Sequence, residues 1–174
     1  MEYYIISQDE RVINYAEPSG LSKLIGKDTI RNGDLDALNT EPVMVYIKDK
    51  DESEFIDIIE KPVLIISDKI KQVFDMYGND EIYKPVVLGN PKNMETCLYH
   101  LIVPKRAECL SKSSEFNPDG TVKRLVLDGS KIISEHIFSV NGIREYFVIV
   151  DLDVVESIIG SDYLGIKLKR VEVD

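Results

Sequence analysis

Pro62-Val-Leu-Ile-Ile-Ser67-Asp-Lys-Ile-Lys-Gln-Val-Phe74-Asp-Met-Tyr77-Gly78 reads as a strand, a cap and an amphipathic helix in direct succession. Val63 to Ile66 is a fully apolar run of strand length that stops at Ser67 and Asp68. The Ser67 hydroxyl can accept from the free N–H groups of a first helical turn, and Asp68 stands where the positive end of the helix dipole favours an acid. Ile70, Val73, Phe74 and Tyr77 then recur at i, i+3, i+4 and i+7, and Gly78 supplies the stop.

The same design returns near the end of the chain. Phe147 to Val150 leads into Asp151, predicted as a cap, and Val154, Val155 and Ile158 line a helix that ends at Gly160. Between the two units, Tyr83 to Leu88, Cys97 to Val103, Val122 to Leu127 and His136 to Val140 all have strand composition. Asn141-Gly142 then predicts a tight hairpin joining His136 to Val140 with Ile143 to Val150, because both residues tolerate the positive φ of a type I′ turn. Tyr3 to Ser7, Pro42 to Lys48 and Gly165 to Val171 read as further strands, whereas Phe55 to Glu60 fits a helical face or an extended one. From Asp9 to Thr40 neither period persists, and Pro18, Gly20, Gly26 and Gly33 interrupt what appears, which predicts mostly irregular structure. Antiparallel hairpins with helices near the ends, and no regular strand and helix alternation, predict an α+β fold. Its sheet is expected to be mixed and largely antiparallel, with a few amphipathic helices.

A chain of 174 residues suits one domain, here 1–174, and 44% hydrophobic residues is too apolar for disorder at this charge. No apolar run approaches the roughly 20 residues of a membrane span, and Met1 to Ser7 lacks the basic start of a secretory signal. The expectation is a cytoplasmic protein whose two cysteines, Cys97 and Cys109, stay reduced. A net charge of −10 repels nucleic acid phosphates and anionic lipid heads, so neither a nucleic acid nor a membrane is an expected partner.

The negative charge is concentrated. Asp28, Asp34, Asp36, Glu41, Asp49, Asp51, Glu52, Glu54, Asp57 and Glu60 face only Arg31, Lys48 and Lys50 over the same stretch, which accounts for −7 of the −10. A solvated surface loop explains such a run. The sharper reading is a docking face for a basic partner, with Asp49, Asp51, Glu52, Glu54 and Asp57 as the candidate contacts. Nine tyrosines are spread through the chain, a minority of them suited to anchor an interface.

Catalytic signatures are missing: there is no glycine-rich phosphate loop, no Gly-x-Ser-x-Gly elbow and no His-Glu-x-x-His pair. Cys97, His100, Cys109 and His136 do not have a recognised zinc spacing. Asp151 and Asp153 form the best carboxylate pair for a divalent cation, but a cap followed by a first-turn acid needs no ion. Glu60-Lys61 with Asp49 or Asp51 upstream echoes a nuclease set that arises by chance in so charged a chain. No cofactor, no metal and no catalytic activity are expected.

The order Pro62 to Phe74, Tyr99-His-Leu-Ile-Val103, Ser114, Ile137-Phe138, Phe147-Val-Ile-Val150, the capped helix and Gly165-Ile-Lys-Leu168 resembles the eleventh immunity family of bacterial polymorphic toxin systems. The resemblance covers residues 55–171 and leaves 1–54 as a variable N-terminal portion. Ser139 stands where many members have arginine after the phenylalanine, and the acid before the central serine is displaced to Glu108 or Glu115. The resemblance implies a protein that neutralises a cognate toxin by binding it. The alternatives are a metal-dependent hydrolase or nuclease centred on Asp151 and Asp153, or a non-catalytic subunit of another assembly.

Overall fold

A computed structural model describes residues 1–25, 39–78 and 80–174. The chain is α+β and mostly sheet. Thirteen strands are described: β1 Tyr3–Gln8, β2 Val43–Tyr46, β3 Ile58–Ile59, β4 Ile65–Ser67, β5 Ile82–Gly89, β6 Thr96–Val103, β7 Arg106–Ala107, β8 Glu115–Phe116, β9 Val122–Arg124, β10 Val126–Leu127, β11 Ile137–Val140, β12 Val148–Asp151 and β13 Ile166–Val173. Three α-helices accompany them: α1 Leu21–Leu24, α2 Asp68–Phe74 and α3 Leu152–Ile159.

Two sheets carry the architecture. One has six strands in the order β10-β13-β1-β12-β11-β7, the other five in the order β2-β5-β6-β4-β3, and β8 pairs with β9 separately. Only β10–β13, β11–β7 and β2–β5 are parallel among the named strand pairs, so the sheets are mixed and largely antiparallel. The opening strand, β1, lies between β12 and β13 and hydrogen-bonds to both.

Both strand, cap and helix units form, with the caps where the sequence places them, but the first helix ends at Phe74 and 75–77 form a turn before Gly78. Ser67 Oγ accepts from Ile70 N–H at 3.4 Å to cap α2, and Asp151 Oδ1 accepts from Val154 N–H at 3.1 Å to cap α3. Each helix turns its apolar stripe into a central core shared by the two sheets. Ile6, Val148 and Val150 come from the six-stranded sheet, Ile58, Ile66 and Ile102 from the five-stranded one, and Ile70, Phe74, Val154 and Ile158 from the helices. A second core, with Val45, Leu88, Tyr99 and Leu101, covers the opposite face of the five-stranded sheet and includes Leu21 of α1. A third, around Tyr3, Phe138 and Ile149, backs the six-stranded sheet.

Two local expectations are revised. The Asn141-Gly142 turn is not tight: Ile137 pairs with Val150 and Phe138 with Ile149, which leaves 141–147 as a longer connection. Tertiary contacts hold that connection open, since Tyr146 Oη donates to the Ile102 carbonyl and Glu145 accepts from Val122 N–H. Residues 122–127 split at Leu125 into β9 and β10, whose partners lie in different sheets. The irregular stretch 9–40 contains the short helix α1, and its residues 26–38, with Asp28, Asp34 and Asp36, lie outside the described ones.

Glu81 gives a test of electrostatics in this frame. Its Oε2 is buried without a hydrogen-bond partner, and burial first, then Asp80, Asp75 and Glu135, raises its pKa above the usual glutamate value. A raised carboxyl pKa costs stability where the group is ionised in both states, and the cost vanishes once pH falls below the value of the free side chain. Glu81→Gln should therefore raise the melting temperature by about 1–3 °C at pH 7.5 and leave it unchanged near pH 4, measured by calorimetry.

Candidate functional site

The five-stranded sheet gathers the candidate contacts at one of its ends. β2 runs parallel to β5 and both finish where β6 begins, and β4, antiparallel to β6, points to the same end and finishes opposite Tyr99. The chain leaving β2 passes through 49–57 at this end, α2 starts there from Ser67, and the turn between β5 and β6 lies beside them. Hydrogen bonds from Glu54 N–H to the Asn14 carbonyl and from Ala16 N–H to the Glu54 carbonyl, both 2.8 Å, fix the middle of the segment.

The five carboxylates named from the sequence differ in what they do. Among the described residues, Asp51, Glu52 and Glu54 are exposed and make no side-chain hydrogen bond or ion pair, so their charge is presented to solvent, that of Asp51 near Lys92. Asp49 is exposed as well but pairs with Lys92. Lys48 and Lys50, the bases nearest in sequence, are held by Glu17, whose pKa the Lys48 ammonium lowers most. Asp57 is a correction to the docking set: at 7% exposure it accepts from Ser67 Oγ at 2.6 Å and from Leu164 N–H at 2.7 Å. Both of its oxygens are used to tie three segments together, which leaves neither oxygen open to a partner.

Beside the free acids lies a cleft of about 390 Å³ bordered by Phe55, Asp68, Lys69, Leu98, Asp162 and Leu164. Tyr99 forms part of its wall and donates its hydroxyl to the Ile56 carbonyl at 2.7 Å, which locks 55–57 against β6. Asp68 accepts from His100 Nε2 at 2.8 Å and from Gln72 Nε2 at 2.9 Å, and these bonds, His100 first, hold its pKa below the usual aspartate value. Lys69 donates to the Asp162 carbonyl at 3.0 Å and covers the Tyr163 ring, so the Asp162 carboxylate is not neutralised by it. Burial raises the pKa of the Cys97 thiol on the same cleft, the opposite of what an activated nucleophile requires.

An apolar strip continues from the cleft across the sheet. Cross-strand register places Met44 beside Val87 and Val87 beside Leu98, and Tyr46 beside Gly89, on one face. Met44 is 53% exposed, Tyr46 58% and Leu98 39%, an uncommon cluster of large apolar side chains on a surface otherwise rich in charge. Tyr46 is thereby picked out among the nine tyrosines as an accessible anchor, whereas Tyr3 and Tyr99 are core. Alternation in Val43 to Lys48 carried that signal, because Met44 and Tyr46 share a face with period two.

The four residues weighed as zinc ligands are not brought together. His100 is committed to Asp68, Cys109 is buried in the third core, and Cys97 borders the cleft. The Asp151 and Asp153 pair does gain a neighbour that spacing did not supply: His136 Nδ1 lies 2.6 Å from Asp151 Oδ2. Register explains the omission. A two-residue turn at Asn141-Gly142 sets Ile132, not His136, opposite Asp151, and only the longer connection brings the imidazole into line.

No family model matches the chain, and no curated protein matches it.

Proposed function

We propose that this chain is a non-catalytic protein of the immunity type, which binds a cognate bacterial toxin domain in the cytoplasm and holds it inactive. The carrying observation is the juxtaposition of three free acids, Asp51, Glu52 and Glu54, with the apolar cleft and the strip of Met44, Tyr46 and Leu98. Complementary charge speeds encounter with a basic surface and rejects acidic ones, while desolvated aromatic and aliphatic anchors supply most of the affinity. A surface with both features suits a protein partner better than a small substrate, for which a deeper pocket with converging polar groups is usual. The sequence resemblance to the eleventh immunity family points the same way. No helix among the described residues is long and apolar enough to cross a membrane, in keeping with a partner met away from the bilayer.

The test is coexpression. Each product of the genes flanking this one is expressed alone in a host bacterium and then together with this chain. One of them is expected to arrest growth alone and to lose that effect in the pair, with the two proteins copurifying. Absence of a toxic neighbour, or toxicity that persists beside this chain, overturns the reading.

A further inference from the structure

Where β12 runs into α3, three potential ligands of two kinds, one imidazole and two carboxylates, converge. The backbone N–H of Asp151 donates to the His136 carbonyl at 3.0 Å, which fixes the two residues opposite each other, and Nδ1 of His136 approaches Asp151 Oδ2 to 2.6 Å. Asp153 completes the set: one ligand atom from each of His136, Asp151 and Asp153 lies within 4.8 Å of the other two. Neighbouring ligands of a first-row ion held at about 2.0–2.1 Å stand about 3 Å apart, so a turn of one side chain closes the set. Asp153 is exposed and can make that turn, whereas Asp151, 1% exposed, is fixed by the Val154 N–H on its other oxygen.

We propose that His136, Asp151 and Asp153 bind a divalent first-row transition ion, Zn²⁺ or Mn²⁺, a site independent of the docking face. Two carboxylates and one neutral imidazole carry a charge of −2, and among the described residues no lysine or arginine pairs with either acid. The cleft beside His136, about 180 Å³, adds Asp80, Glu81 and Glu135; among the described residues Lys105 pairs with Asp80 and Glu135, and the buried Glu81 Oε2 has no donor. Imidazole among the ligands favours Zn²⁺ or Mn²⁺ over Mg²⁺ and Ca²⁺, which prefer oxygen throughout. The positive end of α3 opposes the ion and weakens binding by about fivefold, so the affinity is moderate.

Zn²⁺, Mn²⁺ and Mg²⁺ are titrated separately into the chelator-treated full chain, with calorimetry and thermal melting as readouts. Zn²⁺ or Mn²⁺ should bind one to one and raise the melting temperature, and Mg²⁺ should do neither. Asp153→Asn, a surface change, should weaken binding at least tenfold without altering the metal-free melt, and His136→Gln should abolish it. No heat and no shift with either transition ion, or an affinity unchanged in Asp153→Asn, overturns the site. These outcomes do not depend on whether growth rescue succeeds.

Discussion

Asp57→Ala is expected to destabilise the protein by about 3 kcal/mol, a fall in melting temperature of about 6–12 °C. The carboxylate is buried and accepts from Ser67 Oγ and Leu164 N–H, so its removal leaves one buried and one partly buried donor without an acceptor. The damage spreads to α2, because Ser67 is also that helix's cap and the hydroxyl loses its orientation. Urea titration with tryptophan-free detection, such as circular dichroism, measures the change. Native stability in Asp57→Ala, with slower association to a basic partner, would return Asp57 to the docking set.

Phe74→Ala should cost about 4 kcal/mol and lower the melting temperature by about 8–16 °C. Phe74 is fully buried on α2 and shares the central core with strands of both sheets and with α3. The cavity it leaves is walled by elements already bonded into two sheets, which limits collapse into it. Met76, two residues on and 67% exposed, provides the contrast: Met76→Ala should leave the melt unchanged within about 0.5 kcal/mol.

Local signals made the helical units legible. Ser67 and Asp151 are capping residues by side-chain chemistry, and the stripes after them are set by helical period, so α2 and α3 start where the residues place them. The α+β class followed from the same reading. Register was not legible, because it depends on contacts distant in sequence. Asn141-Gly142 has the composition of a tight turn, yet the Tyr146 and Glu145 bonds to Ile102 and Val122 override it and shift the pairing by four residues. That shift hid the approach of His136 to Asp151. Charge was legible as a run but not as a surface. Asp49 to Asp57 reads as an acidic run broken by Lys50, whereas Lys92 pairs with Asp49, burial removes Asp57, and three acids remain unpaired among the described residues. The cleft depends on Leu98, Asp162 and Leu164 meeting Phe55, which no spacing along the chain announces.

The most direct test of a binding role for the acidic sheet end is the association rate with the toxin partner found by coexpression, measured by stopped flow across ionic strength. Native protein should associate fast at low salt and slow steeply as salt screens the encounter. The combined variant Asp51→Asn, Glu52→Gln, Glu54→Gln should associate at least tenfold more slowly at low salt, with a flatter dependence and an unchanged melting temperature. Equal rates and equal salt slopes for the two proteins would contradict the account.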